Sequence, residues 1–236
     1  MGDATGDVIC EKPFSAADFT DDQKHHILLA ASGSVATIKL PLIAHALAQH
    51  QNVSIRVVLT SSATEFLQGQ SAEQPQLESL EQLPNVEAIY LNKDEWAKPW
   101  VRGDKILHIE LRRWAHTLLI APLSANSLAK MANGLSDNLL MSVVRAWDTT
   151  GLIDGRKKVI FVAPAMNSAM WRHPITNKHI ETLKNDWGSP PDGWVRVLGP
   201  IDKGLACGDV GDGGMMEWSG IVTEMESHFG LTKPST

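Results

Sequence analysis

Four settings in this sequence hold side chains able to do chemistry. His108 opens the run His108-Ile109-Glu110-Leu111-Arg112-Arg113-Trp114, and helical spacing sets Arg112 one turn later on the same face, a cation beside a candidate base. Asn167 ends Ala163-Pro164-Ala165-Met166-Asn167, where an amide either clamps a carboxylate or amide group or forms a turn. Cys207 stands between Ala206 and Gly208 in a glycine-rich stretch. An inert buried thiol and a mobile flap presenting an acid are both open readings there. The fourth setting is a set of hydroxyls beside small residues: Ser32-Gly33-Ser34-Val35-Ala36, Thr60-Ser61-Ser62-Ala63 and Pro122-Leu123-Ser124-Ala125-Asn126-Ser127. Each single instance reads as an ordinary helix cap. Three on one sheet edge point to a phosphorylated cofactor held by free helix-start N–H groups. No Gly-x-Gly-x-x-Gly or P-loop pattern accompanies them, so the usual NAD and ATP cradles are not supported. The nine histidines form no HExxH motif, and no Cys–His grouping has ligand spacing, so no metal site is expected.

The elements that must position these residues follow from hydrophobic period. Short apolar, β-branched runs are expected as strands at Ile27 to Ala31, Val53 to Leu59, Glu87 to Leu91, Thr117 to Ala121, Lys158 to Ala163 and Trp194 to Leu198. Helical patterns fill the intervals at Val35 to His50, His108 to Ala115, Ala125 to Ala132, Asp137 to Trp147, Asn177 to Asn185 and Ser219 to Phe229. This alternation predicts an α/β fold: a single doubly wound, Rossmann-like domain with a central parallel sheet. Nearly continuous apolar strands suit a sheet covered on both faces. In such a sheet ligands sit beyond the carboxyl ends of the strands, where the hydroxyl-rich loops fall. Residues 1–24 read as a flexible leader, 25–232 as the domain and 233–236 as a tail. The stretch from 186 to 217 carries eight glycines, and a loop that long is more often functional than accidental.

Composition narrows the classes. The chain has 236 residues, 43% hydrophobic and 20% charged, with a formal net charge of −6. Disorder and collagen-like repetition are excluded. No general attraction to a phosphate backbone or an anionic bilayer is available, so neither nucleic acid nor membrane is an expected partner. Apolar stretches such as Thr117 to Leu123 fall far short of the ~20 residues that cross a bilayer, and no basic-then-apolar signal opens the chain. A cytoplasmic protein with its two cysteines reduced is expected.

Together, Ala31-Ser32-Gly33-Ser34-Val35-Ala36, the His108 run through Ala115, Ala121-Pro122-Leu123-Ser124-Ala125-Asn126, Ala163-Pro164-Ala165-Met166-Asn167 and Leu205-Ala206-Cys207-Gly208-Asp209 resemble the phosphopantothenoylcysteine decarboxylases. These belong to the flavin-containing cysteine decarboxylases, and the resemblance runs from about Ile27 to Phe229. It implies that FMN is held by Gly33, Ser34, Val35, Thr60, Ser62, Ser124, Ala125, Asn126, Ser127 and Ala165. By the same resemblance His108 is the active-site histidine, Asn167 grips the substrate carboxylate, and Cys207 is the acid that completes the reaction. Ala206 and Met215 fall where a flap covers the substrate. The implied activity is decarboxylation of 4′-phosphopantothenoylcysteine to 4′-phosphopantetheine, on the way to coenzyme A. The implied assembly is a homotrimer, with FMN between protomers and His108 and Asn167 of one site from different chains. Two departures are visible: a longer stretch from Asp186 to Trp194, and an extra small residue in Asp212-Gly213-Gly214-Met215-Met216. The rival reading is an inhibitory subunit of a type 1 protein phosphatase on the same core. Such proteins carry long extensions and an acidic tail, whereas this sequence ends Leu231-Thr232-Lys233-Pro234-Ser235-Thr236.

Overall fold

In the computed structural model, residues 14–189, 193–199, 201–204 and 210–231 are described. Six strands form one sheet: β1 (His25–Ala31), β2 (Val53–Leu59), β3 (Val86–Leu91), β4 (Thr117–Leu123), β5 (Val159–Pro164) and β6 (Val195–Val197). Their order is β3-β2-β1-β4-β5-β6 and every pairing is parallel. The helices are α1 (Leu40–Ala48), α2 (Ser61–Thr64), α3 (Glu78–Glu81), α4 (Leu107–Trp114), α5 (Ala125–Asn133), α6 (Leu139–Arg145), α7 (Ser168–Arg172), α8 (Pro174–Glu181) and α9 (Trp218–Phe229). A separate antiparallel pair, β7 (Ile201–Gly204) with β8 (Val210–Gly214), precedes α9.

The two faces of β1 show why its run is apolar throughout. Ile27, Leu29 and Ala31 join the cluster with α1 and α9 residues such as Leu40, Ile43, Ile221 and Met225. Leu28 and Ala30 join the opposite cluster with Leu111, Leu128, Leu140 and Val143 from α4, α5 and α6. Alternate side chains of a strand point to opposite faces, so covering both faces makes successive positions of this run apolar. β1 lies between β2 and β4, and the winding direction reverses between β1 and β4, which makes the crevice at their carboxyl ends the binding position.

The six strands and the α/β class follow the sequence expectation, with differences at the edges. The helical pattern from Val35 to His50 is divided into a 3-10 turn at Val35–Lys39 and α1. Pro41 has no N–H to continue the ladder, so the α-helix starts afresh around it. The short helices α2, α3 and α7 lie where loops were read, because four or five residues carry too little period to register.

The leader requires correction. From Phe14 onward it is packed: Ala16–Phe19 form a 3-10 turn, Ala16 N donates to Glu110 Oε2 at 2.8 Å, and His26 Nε2 meets Asp22 at 2.9 Å. Phe14 and Phe19 lie 4.1 and 4.9 Å from the guanidinium of buried Arg56. Two aromatic faces stabilising a buried cation make a real docking contact and leave no periodic trace. Residues 1–13 lie outside the described residues, as do 232–236.

Candidate active site

The loops leaving β1, β2 and β4 lie side by side and are bonded together. Ser32 N donates to Pro122 O at 3.0 Å, Ser124 N donates to Ser32 Oγ at 2.8 Å, and Thr37 Oγ1 donates to Ser32 O at 3.3 Å. The Ala121–Pro122 peptide between them is cis. Gly33 closes the other side. A Cβ there would stand 2.5 Å from Ser62 Oγ and 2.6 Å from Ser62 Cβ, so only glycine lets the first two loops meet.

Each loop starts a helical turn with a hydroxyl cap. Ser34 accepts from Ala36 N at 3.4 Å, Thr60 from Ala63 N at 3.2 Å and Ser124 from Ser127 N at 3.3 Å. These bonds are long for their type. A ligand at this edge therefore meets loosely engaged hydroxyls, the exposed Ser62 and Asn126, the remaining first-turn amides, and apolar Val35, Ala125 and buried Ala165. Ala165 N donates to Leu123 O at 2.9 Å, extending the β4–β5 pairing to this point. None of these side chains is acidic, and a donor set of amides and hydroxyls fits the phosphate of a flavin mononucleotide.

His108 is the second residue of α4. The cap position, Ile106, has no side-chain acceptor, and the missing acceptor comes from Glu95. One carboxylate oxygen accepts His108 N at 3.2 Å and the other lies 2.6 Å from His108 Nδ1. Glu95 belongs to a 3-10 turn, Asn92–Trp96, directly after β3. That turn is fixed by Asp94 Oδ2 accepting Leu91 N at 2.7 Å and by Asn92 Oδ1 accepting Leu139 N at 2.8 Å. The Arg112 expectation needs revision. Its guanidinium is bound to Asp154 at 2.7 Å, and the charged group on His108 is an acid. Glu95 was missed because it lies 13 residues upstream on another element, a pairing no local spacing announces.

Asn167 caps α7, accepting Met170 N on Oδ1 at 2.9 Å. Beside it, Met166 N donates to Gly213 O at 3.0 Å, and Arg172 Nε pairs with Asp212 Oδ2 at 3.1 Å. A Cβ on Gly213 would meet Met166 O at 2.7 Å, and its φ is +104°, so this approach also requires glycine. The glycine-rich stretch is thus partly a hairpin whose base is anchored next to Asn167. Ala206 and Cys207 fall in residues 205–209, outside the described residues. Met215 lies just past β8, half-buried against the cluster under α9.

The fold brings the three hydroxyl loops together and joins Asn167 to the hairpin base. Among the described residues no hydrogen bond or ion pair joins His108 to Asn167: the turn carrying Glu95 follows β3, whereas Asn167 follows β5. Among the described residues no group of three or more His, Cys, Asp or Glu could hold a metal ion, and no helix is long and apolar enough to cross a membrane.

Known proteins share this architecture. The Arabidopsis thaliana phosphopantothenoylcysteine decarboxylase is 44% identical over 204 residues, covering 86% of this chain and 85% of its own. A Schizosaccharomyces pombe protein named a probable thymidylate synthase is 46% identical over 215 residues. The alignment covers 91% of this chain and only 31% of that longer relative. Among solved structures, a PPC decarboxylase cysteine-to-serine mutant complexed with pantothenoylaminoethenethiol superposes with a TM-score of 0.73 at 42% identity, covering 88% of this chain and 99% of that one. The FMN binding protein AtHal3 gives a TM-score of 0.70 at 42% identity, covering 89% and 98%. The flavoprotein family model matches residues 15–230, a span that includes all six strands of the sheet, and the chain belongs to the flavoprotein family.

Proposed function

We propose that this chain is an FMN-dependent decarboxylase converting 4′-phosphopantothenoylcysteine to 4′-phosphopantetheine and CO2, a step toward coenzyme A. The observation that carries the reading is the carboxyl edge of the sheet, where three bonded, hydroxyl-capped loops with no acidic side chain adjoin a capping Asn167. Similarity across almost the whole Arabidopsis decarboxylase supports it.

Gly33, Ser34, Val35, Thr60, Ser62, the run Ser124 to Ser127 and Ala165 hold the flavin. The substrate carboxylate sits on a carbon beside an amide nitrogen and has no electron sink. When bound, FMN supplies that sink by accepting two electrons from the cysteinyl thiol and returning them once CO2 has left. Asn167 spends Oδ1 on Met170 N, which leaves its NH2 group to donate to the substrate carboxylate. His108 takes the proton released in the first step. Cys207 delivers a proton to carbon in the last, as a thiol able to cycle with thiolate near neutral pH. By the family resemblance Ala206, Cys207 and Met215 belong to a flap that covers the bound substrate. The family resemblance supports a site that draws His108 and Asn167 from two copies, in a homotrimer with FMN between protomers. The cytoplasm, where thiols stay reduced, suits Cys207.

The test is purified protein, loaded with FMN, incubated with 4′-phosphopantothenoylcysteine while CO2 and product mass are followed. Stoichiometric CO2 and 4′-phosphopantetheine are expected. Protein that stays colourless with added FMN, or holds FMN and leaves the substrate intact, overturns the assignment.

A further inference from the structure

Glu95 is an acid with an unusual set of partners. Its side chain is only 5% exposed, and among the described residues its two hydrogen bonds both go to one residue, His108, at the backbone N (3.2 Å) and ring Nδ1 (2.6 Å). A buried carboxylate ordinarily needs a cation or several donors. As a cap for α4 alone, one oxygen on one backbone N–H would suffice. The second oxygen is committed to the imidazole instead, and bonds at both ends of the side chain leave the ring little freedom to rotate. His108 is 22% exposed; its Nδ1 is engaged by buried Glu95, and among the described residues Nε2 has no hydrogen-bond partner.

We propose that Glu95 is a positioning residue for His108, setting both its orientation and its tautomer. An ionised carboxylate only accepts, so the ring proton of neutral His108 is on Nδ1 and the lone pair is on Nε2, facing substrate. When Nε2 takes the proton that the substrate gives up, the ring becomes a cation still hydrogen-bonded to Glu95, and no proton passes to the carboxylate. His108's role in turnover rests on the decarboxylase reading above, whereas the tautomer does not.

Glutamine separates the two bonds. An amide has one acceptor oxygen, and if that oxygen keeps the cap on His108 N, its NH2 group faces Nδ1 and forces the ring proton onto Nε2. Ring nitrogens of the FMN-loaded protein are read by 15N–1H two-bond NMR at mildly alkaline pH, with His108→Gln identifying the His108 signals. In the unaltered protein His108 is expected as the Nδ1–H tautomer. In Glu95→Gln, with helix content and flavin spectrum unchanged, it should switch to Nε2–H, and kcat should fall at least ~100-fold with KM within ~3-fold, as for a base in the wrong tautomer. Glu95→Asp, which keeps a carboxylate, should recover the Nδ1–H form and part of kcat. An Nε2–H tautomer in the unaltered protein overturns the proposal, whatever the fate of the variants. So does a Glu95→Gln protein with the original tautomer or undiminished kcat. If the unaltered protein releases no CO2 while His108 is Nδ1–H, the decarboxylase reading fails and the positioning by Glu95 stands.

Discussion

At the scale of single residues, Gly33 is the tightest point of the proposed flavin site. Alanine there places a Cβ 2.5 Å from Ser62 Oγ, so the loops after β1 and β2 must separate. Gly33→Ala is expected to weaken FMN binding more than tenfold in a fluorescence titration and to lower the melting temperature. Adding Ser62→Gly, which removes the opposing atoms, should restore most of the thermal loss. Cys207 makes a different prediction because its proposed role comes after CO2 leaves. Cys207→Ser exchanges an ionisable thiol for a hydroxyl that hardly ionises, at almost the same shape. One turnover of CO2 should still be released, after which the flavin stays reduced and a product two hydrogens short of 4′-phosphopantetheine accumulates, readable by mass spectrometry. Normal turnover would remove the acid role.

At the scale of elements, α4 is held from three directions. Glu95 caps its start, Glu110 accepts Ala16 N, and Arg112 is tied to the loop before β5. In that loop Asp148 accepts from Thr150 N and Oγ1, Gly151 N, Ile153 N and Asp154 N. Burial alone would raise the Asp148 carboxyl, but those donors, led by Asp154 N and Ile153 N, hold it well below the usual carboxylate range. The loop so shaped aims Asp154 at Arg112 (2.7 Å) and at Lys158 (2.6 Å), whose side chains are 5% and 1% exposed. Asp154→Ala leaves two buried cations facing each other. A loss of about 3–5 kcal/mol is expected in urea unfolding, together with reduced kcat as α4 loosens. At the amino ends of the strands, His116 Nδ1 accepts His26 N at 3.4 Å. Burial first, then the charges of Arg156, His26, His25 and Lys158, pushes His116 from 6.5 down to about 3. The unfolded chain therefore binds this proton more readily than the folded one, and the contribution to stability falls as pH drops from about 6.5 to about 3. His116→Asn, which keeps an acceptor near Nδ1, should flatten that part of the pH–stability curve measured by urea unfolding.

At the scale of the whole molecule, the proposed sharing of one site by His108 and Asn167 of different chains predicts complementation between chains. His108→Ala and Asn167→Ala proteins, each inactive alone, should regain activity when unfolded and refolded together. Random co-assembly leaves about a quarter of the interfaces with both residues intact, so about a quarter of the unaltered protein's rate is expected, at a native mass of three chains. Properly mixed trimers without turnover would mean that each chain builds its own site.

Periodicity and loop chemistry determined much of this protein before any coordinates. Six apolar runs specify a doubly covered parallel sheet because alternate residues of each strand face opposite apolar layers. The hydroxyls after β1, β2 and β4 are legible as helix caps because helix starts need caps and caps are local. Sequence reading also singled out His108, Asn167 and Cys207, each within a short contiguous run. What it could not reach are the pairings between distant segments: Glu95 with His108, Phe14 and Phe19 around Arg56, Asp154 with Arg112 and Lys158, and Gly213 against Met166. These contacts have no period, since each exists only because separate elements bring one atom to another. The tertiary structure decides them, and with them how His108 is held.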